Sequence, residues 1–433
     1  MTEKTVVLHI VMKGDDARQH ARDPEAALQE AVGLARAIEL DIVHAEILRL
    51  AKITPATLIG SGVVERVKAR AEELGAGLIF VDATVSPVQQ RNLEKAWNCK
   101  VIDRTGLILE IFGARARTKE GQLQVELAAL SFQRSRLVRS WTHLERQRGG
   151  FGFMGGPGET QIEIDRRLID ERIRRLKSDL ELVKKTRRLQ RESRKREPYP
   201  IVAIVGYTNA GKSTLFNRMT GTKVFAKDLL FATLDTTMRA LELPSGRKCI
   251  LSDTVGFISD LPTHLVAAFR ATLEEVQEAA VILHVRDISQ KNTEAEKEDV
   301  LKILSDLGID PERDDRLIEV LNKIDSLPAS ERKAAATRAK RDKKLAAVSA
   351  VTGEGIDALL ESIDERLGQE RKTVFVDVDI ADGKALSWLY RRGQVLTRTD
   401  TEKYARLKVG LDPADCDRFA SQFPYKLKKS RGR

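Results

Sequence analysis

The chain has 433 residues, enough for roughly three domains at about 150 residues each. A composition of 42% hydrophobic and 32% charged residues suits globular, helix-rich domains, and no apolar stretch approaches the roughly 20 residues that a membrane span requires. Lys+Arg outnumber Asp+Glu by 74 to 64, a net +10 that attracts polyanions such as nucleic acid or anionic lipid, while Cys99, Cys249 and Cys416 lack the spacings of a zinc site or a disulfide framework.

The start of the chain shows no basic region, apolar core or cleavage site of a secretory leader, which predicts a cytoplasmic protein with reduced thiols. From Thr5 to about Ile108, apolar runs at 6–11, 42–47, 77–81 and 100–102 alternate with helical patterns at 24–37, 61–74 and 86–97. That alternation predicts a small parallel sheet of βα units. The pair Gly60 and Gly62 lacks the rest of a phosphate-binding fingerprint and reads as a turn at a helix start.

Between Gln122 and Arg196 the period becomes that of long helices. Leu127, Leu130, Leu137, Trp141 and Leu144 form one seam, and Ile169, Ile173, Leu176, Leu180 and Val183 another. The run Gly149 to Gly158 is too rich in glycine and proline to continue either helix, so the segment predicts an antiparallel hairpin with a Gly-rich tip. Phe151 and Phe153, flanked by Arg146, Arg148 and Arg166, fit either a nucleic-acid probe or a mobile loop.

Pro198 and Pro200 end the second helix. Strand candidates at 201–205, 250–252, 281–285, 317–321 and 346–349 then alternate with helices and predict a doubly wound sheet. After about Leu367, strict alternation over 375–379, a helix near 386–390, strands near Val395 and Leu407 and a helix from Pro413 predict a small α+β module, followed by a basic tail from Lys426.

The chemistry lies in the doubly wound part. Gly206-Tyr207-Thr208-Asn209-Ala210-Gly211-Lys212-Ser213 matches G-x-x-x-x-G-K-[ST] directly after a buried strand and at a helix start. Its amides and the helix N-terminus suit phosphates, Lys212 the β and γ charges, and the Ser213 hydroxyl Mg2+. Asp253-Thr254-Val255-Gly256 closes the next strand, where the aspartate can reach the Mg2+ shell and the glycine amide the γ-phosphate. Asn322-Lys323-Ile324-Asp325 ends a later strand. The Asp325 carboxylate can accept two hydrogen bonds from guanine N1 and its exocyclic amine, a donor pair that adenine lacks, so GTP is expected over ATP. Ser349-Ala350 is the expected backbone contact to the base.

Phe231-Ala232-Thr233-Leu234-Asp235 occupies the place of a switch that presents a threonine to Mg2+ only beside a γ-phosphate. Thr233 is the chosen ligand, with Thr236 and Thr237 as competitors. Lys212, Thr233 and Gly256 are the expected catalytic groups. Phe257 stands where many GTPases place the glutamine that orients water, which predicts slow intrinsic hydrolysis corrected by a partner. The Asn209 side chain suits either K+ beside the phosphates or a bond that stabilises the loop.

With these motifs placed, the chain resembles the HflX family of ribosome-associated GTPases along nearly its full length. The resemblance rests on residues 56–62, 86–94, 101–109, 115–118, 156–161 and 206–216. It implies GTP/GDP as ligand, the large ribosomal subunit and its rRNA as partner, ribosome splitting during stress, and hydrolysis stimulated by ribosomal particles. It also implies that Gly206 to Ser213 bind phosphate, Ser213 and Thr233 bind Mg2+, and Asn322 to Asp325 bind the base. The expected division is an N-terminal α/β domain at 1–108, a helical hairpin at 109–197 with its tip at 149–158, a GTPase domain at 198–369 and an α+β module at 370–433. With no membrane span, membrane association is expected to be loose at most, and the free chain monomeric. Two departures bear on this likeness: Asp235-Thr236-Thr237 lacks the proline that members commonly carry there, and Phe153-Met154 replaces more polar tip residues. Competing readings are a small-substrate phosphotransferase and a nucleotide-driven RNA remodeller or chaperone with an ATP site in the N-terminal domain.

Overall fold

The computed structural model describes residues 3–13, 23–116, 118–147, 157–194, 199–221, 231, 237–259, 275–368, 372–411 and 413–429. They fall into two compact units, residues 1–242 with 248–359 and residues 243–247 with 360–433.

The first unit opens with β1 (Lys4–Met12), α1 (Pro24–Arg36), β2 (Asp41–Leu50), α2 (Ser61–Leu74), β3 (Leu78–Asp82), α3 (Pro87–Trp97), β4 (Lys100–Asp103) and α4 (Arg104–Arg115). The strands pair in parallel in the order β2-β1-β3-β4. Because βα crossovers cover both faces, β3 is buried at every position and its sequence, Leu-Ile-Phe-Val-Asp, does not alternate. Caps set the helix starts. Ser86 accepts from the Gln89 amide at 3.2 Å while the Gln89 side chain accepts from the Ser86 amide at 2.9 Å, and Pro87 occupies the first turn, where no N–H is needed. Asp103 caps α4 through the Gly106 amide at 2.8 Å. Helix α4 runs unbroken across residue 108 and buries Leu107, Ile108, Ile111 and Phe112 in the core.

Two long helices follow, α5 (Lys119–Gln147) and α6 (Pro157–Arg194). Leu123, Leu176 and Leu180 pack with Leu127, Leu130 and Val183. Arg172 pairs with Glu126 at 2.6 Å and Arg134 with Asp170 at 2.9 Å, so rising positions on one helix meet falling positions on the other and the pair is antiparallel. The side chains of Trp141 and Leu144 lie outside the described residues, as do residues 148–156 with Phe151, Phe153 and Met154. Pro157 and Gly158, expected in the tip, open α6 instead. A proline fits there because the first helical amide has no intrahelical partner to lose.

The second sheet comprises β5 (Ile201–Gly206), β6 (Thr237–Glu242), β7 (Lys248–Asp253), β8 (Val281–Asp287), β9 (Leu317–Asn322) and β10 (Leu345–Ala347), in the order β10-β9-β8-β5-β7-β6. Helices α7 (Lys212–Thr220), α8 (Thr293–Asp306), α9 (Ala329–Arg341) and α10 (Ile356–Gly368) accompany it, and the boundary between the units falls within α10. Strand β6 was not expected. It pairs antiparallel with β7 at the sheet edge and buries only Leu241, so Thr-Met-Arg-Ala-Leu-Glu carries only a weak apolar pattern. Strand β10 ends at Ala347, so Ser349 and Ala350 follow the strand rather than end it.

In the second unit, β11 (Lys372–Asp379), α11 (Gly383–Arg392), β12 (Gln394–Asp400), β13 (Tyr404–Leu411), α12 (Pro413–Gln422) and β14 (Lys428–Lys429) form an antiparallel sheet in the order β12-β13-β11-β14 with two helices. Val374, Val376 and Val378 alternate inward against Leu389 and Phe419, while Lys428 and Lys429 of the basic tail pair with β11 as a short edge strand.

Candidate functional site

Strand β5 lies between β8 and β7 and is buried along nearly its whole length. It delivers the loop Tyr207 to Gly211 to the N-terminus of α7. Gly206 passes so close to β8 that a Cβ there would strike the Val285 carbonyl oxygen. Gly211, in the left-handed region at φ +89°, lies so close to the Asn322 amide that a Cβ would strike it as well. Asn209 is exposed at φ +59°, and no hydrogen bond joins its side chain to another of the described residues.

Lys212 is 7% exposed, and its Nζ donates to the Tyr207 carbonyl at 2.6 Å. Burial lowers its pKa to about 8, with Asp253 partly opposing the shift. An ammonium held this dry is strongly favoured by an incoming polyanion. The Ser213 hydroxyl donates to Asp253 Oδ2 at 2.7 Å, which brings together an alcohol from α7 and a carboxylate from the end of β7. The Thr208 hydroxyl is buried with no hydrogen-bond partner among the described residues. Two hydroxyls, an ammonium and the open end of a helix form a donor set that fits phosphate, and Ser213 with Asp253 offers the hard oxygen ligands that Mg2+ prefers.

After Asp253, Thr254 donates to the Ile204 carbonyl at 2.6 Å and holds this segment against β5. A Cβ on Gly256 would lie 3.0 Å from Lys212 Nζ and 3.1 Å from Thr208 Cα, a tight contact that a bare backbone avoids. The Phe257 carbonyl accepts from the Thr208 amide at 2.7 Å, and the Phe257 amide donates to the Gly206 carbonyl at 3.1 Å. Its ring is buried in the apolar core with Val255 and Ile258. A ring anchored there cannot orient water.

At the opposite end of the loop, Asn322 closes β9. Its Nδ2 donates to the Ala210 carbonyl at 2.8 Å and its Oδ1 accepts from the Ala350 amide at 3.1 Å, so one amide joins the phosphate loop to the segment after β10. Lys323 takes φ +63° and pairs with Asp287 at 2.7 Å. Ile324 is buried and Asp325 exposed, within a single 3-10 turn, Ile324–Ser326. Ser349 is fully buried, and its hydroxyl accepts from the Thr352 amide at 3.1 Å. His284 on β8 is buried with its pKa pushed down to about 3, so its ring stays neutral.

The structure thus brings together Gly206 to Ser213 and Asp253 to Gly256, with Asn322 and Ala350 joined to the loop through the Asn322 amide. Of the segment expected to form the first switch, Phe231 is described, buried at φ +56°; Ala232, Thr233, Leu234 and Asp235 lie outside the described residues. Sequence reading missed Arg218. From α7 its Nε donates to the Ala350 carbonyl at 3.1 Å and a terminal nitrogen to the Val351 carbonyl. It missed equally Glu30, whose carboxylate accepts from the Tyr207 hydroxyl of the phosphate loop, and Arg104, which bonds Glu30 and Ser259. Arg104 lay within a motif noted above, but nothing local marked its partner.

Residues 201–323 match the family described as 50S ribosome-binding GTPase, residues 25–113 and 115–194 the N-terminal and middle regions of GTP-binding GTPases, and residues 334–428 the HflX C-terminal domain. The chain is 50% identical over 392 residues to GTPase HflX of Magnetococcus marinus, covering 89% of this chain and 88% of that protein. It is 45% identical over 337 residues to GTPase HflX of Escherichia coli, covering 78% of each. A solved GTP-binding protein from Sulfolobus solfataricus in complex with GDP aligns at TM-score 0.44 and 22% identity, over 84% of this chain and 99% of that one. By relatives this similar over this much of its length, the chain belongs to the HflX family of GTPases.

Proposed function

We propose that this GTPase is a nucleotide switch for the large ribosomal subunit: its GTP form grips ribosomal RNA and splits or rescues ribosomes under stress, and the ribosome in turn stimulates hydrolysis. Residues 201–323 match a family described as ribosome-binding, and the net charge of +10 suits an RNA partner. The observation that carries the nucleotide part is the meeting of Lys212, Ser213, Asp253 and Gly256 at one end of the sheet, with Asn322 binding the loop to the base side.

In this reading the loop amides and Lys212 hold the β and γ charges, and Asp325 selects guanine by its paired acceptors. Ser213 and Thr233 would hold Mg2+ with Asp253 beside them, and the ion would supply positive charge against the phosphates. Lys212, Thr233 and Gly256 stabilise the transferring phosphoryl group. Asn209, exposed beside the loop, is available as a K+ ligand. Because Phe257 is buried, the group that orients water comes from elsewhere, and the ribosome is the proposed source. The four-part division read from the sequence, the entry of the hairpin tip into ribosomal RNA, a cytoplasmic location and a monomeric free state belong to the same proposal.

The test is the GTPase rate with and without purified large subunits, repeated with Lys212→Ala and with residues 151–155 deleted. Stimulation by subunits that is lost in the deletion, with the basal rate retained, is the expected result. A rate that subunits leave unchanged would refute the ribosomal part and leave the GTPase assignment intact.

A further inference from the structure

Tyr207 sits in the phosphate loop, yet its side chain points away from the loop's own hydrogen bonds. Only 3% exposed, it donates from its hydroxyl to Glu30 Oε2 on α1 at 2.7 Å and accepts from the Ser259 amide at 3.0 Å. The other oxygen of Glu30 accepts from Arg104 Nη2 at 2.5 Å. Arg104 Nη2 also donates to the Ser259 hydroxyl at 2.8 Å, and its Nη1 to Asp82 at 2.6 Å. Ser259 is therefore held through its main chain by the phosphate loop and through its side chain by the N-terminal layer.

Ser259 lies three residues beyond Gly256, and the intervening Phe257 is bonded through its main chain to Gly206 and Thr208. The segment from Gly256 to Ser259 is thus fixed on both sides. A second contact reaches the other switch, where Phe112 of α4 meets Phe231 edge-on with ring centroids 4.7 Å apart.

We infer that Tyr207, Glu30 and Arg104 act as positioning residues for the second switch, so that the preference for triphosphate over diphosphate depends on side chains outside the GTPase fold. The inference rests on the nucleotide site proposed above and deepens it. Fixing Ser259 removes freedom that Gly256 would otherwise lose when its amide meets a γ-phosphate, which lowers the ordering cost of the triphosphate state alone. By reciprocity, a triphosphate must tighten the clasp on α1.

The experiment is calorimetric titration of the full chain with GDP and with the non-hydrolysable analogue GMPPNP, in wild type, Tyr207→Phe, Glu30→Gln and the double variant. Each single substitution should lower the preference for GMPPNP over GDP by about fivefold or more, and the double variant by less than the product of the two, because the variants share the Tyr207–Glu30 bond. A preference unchanged within about twofold while the melting temperature falls would mean a purely structural role, and would overturn the inference. Multiplying effects in the double variant would equally overturn it. Should Glu30→Gln fail to fold, hydrogen exchange over residues 24–36 of the wild type decides: protection greater with GMPPNP than with GDP supports the clasp, and equal protection refutes it. No uptake of either nucleotide by the wild type would instead refute the site itself, and the inference with it.

Discussion

Raising the pH from 7 to 9 should weaken guanine-nucleotide binding through one side chain, Lys212. Burial sets its pKa at about 8 against an ordinary 10.5. The ammonium is therefore about 90% formed at pH 7 and about 10% at pH 9. Phosphate oxygens beside it favour the charged form and lift its pKa out of that window, so binding takes up a proton above pH 8 and Kd should rise about tenfold between pH 7 and pH 9. For stability of the free protein the sign is opposite. Between pH 8 and 10.5 the unfolded chain holds this proton more firmly than the fold does. Burying the charge thus costs roughly 3 kcal/mol below pH 8, a penalty relieved as pH rises through 8 toward 10.5. Titration with a fluorescent GDP derivative at constant ionic strength over pH 7 to 9.5 measures the effect, with Lys212→Ala as the control. A Kd that stays flat in the wild type, or a slope that survives in Lys212→Ala, would refute the reasoning.

Three further outcomes follow from the same structure. Asn322→Ala strips the Ala210 carbonyl and the Ala350 amide of their buried partner; about 1 to 3 kcal/mol is lost for each group left unsatisfied, which urea denaturation would read and a loss under about 1 kcal/mol would contradict. Arg218→Ala frees the carbonyls of Ala350 and Val351 and should lower GDP affinity about tenfold, by the usual worth of a charged hydrogen bond; an unchanged preference for GDP over ADP in calorimetry would dissociate this arginine from base recognition. Arg104→Ala leaves Asp82 and Glu30 without their buried cation, a loss of about 3 to 5 kcal/mol. Burial alone would raise the Asp82 pKa, but Arg104 and His9 outweigh it and hold it below 3.8. That stabilisation is present above the ordinary carboxylate range and fades as pH falls through the lowered value, so the deficit of the variant in urea should shrink under acid conditions.

The phosphate loop could be read in the sequence because its requirements are local: a buried strand, glycines at 206 and 211, and a lysine and serine opening a helix are all contiguous. The same holds for Asp253 to Gly256 and for Asn322 to Asp325, each at the end of an apolar strand. Strand β6 escaped notice because an edge strand with one wet face has little periodicity to show. Thr233 could be named from its motif, but its position lies outside the described residues.

What the sequence determined alone was the order of the elements, the nucleotide chemistry and the absence of a glutamine after Gly256, since all of these depend on residues near one another in the chain. Tertiary structure decided which side chains from remote segments meet. Glu30 and Tyr207 are 177 positions apart, Arg104 and Ser259 155. Nothing in the local pattern around a half-buried glutamate distinguishes a solvated helix position from a partner of the phosphate loop. That distinction arises only when two sheet layers pack and leave a charged pair little water to bond.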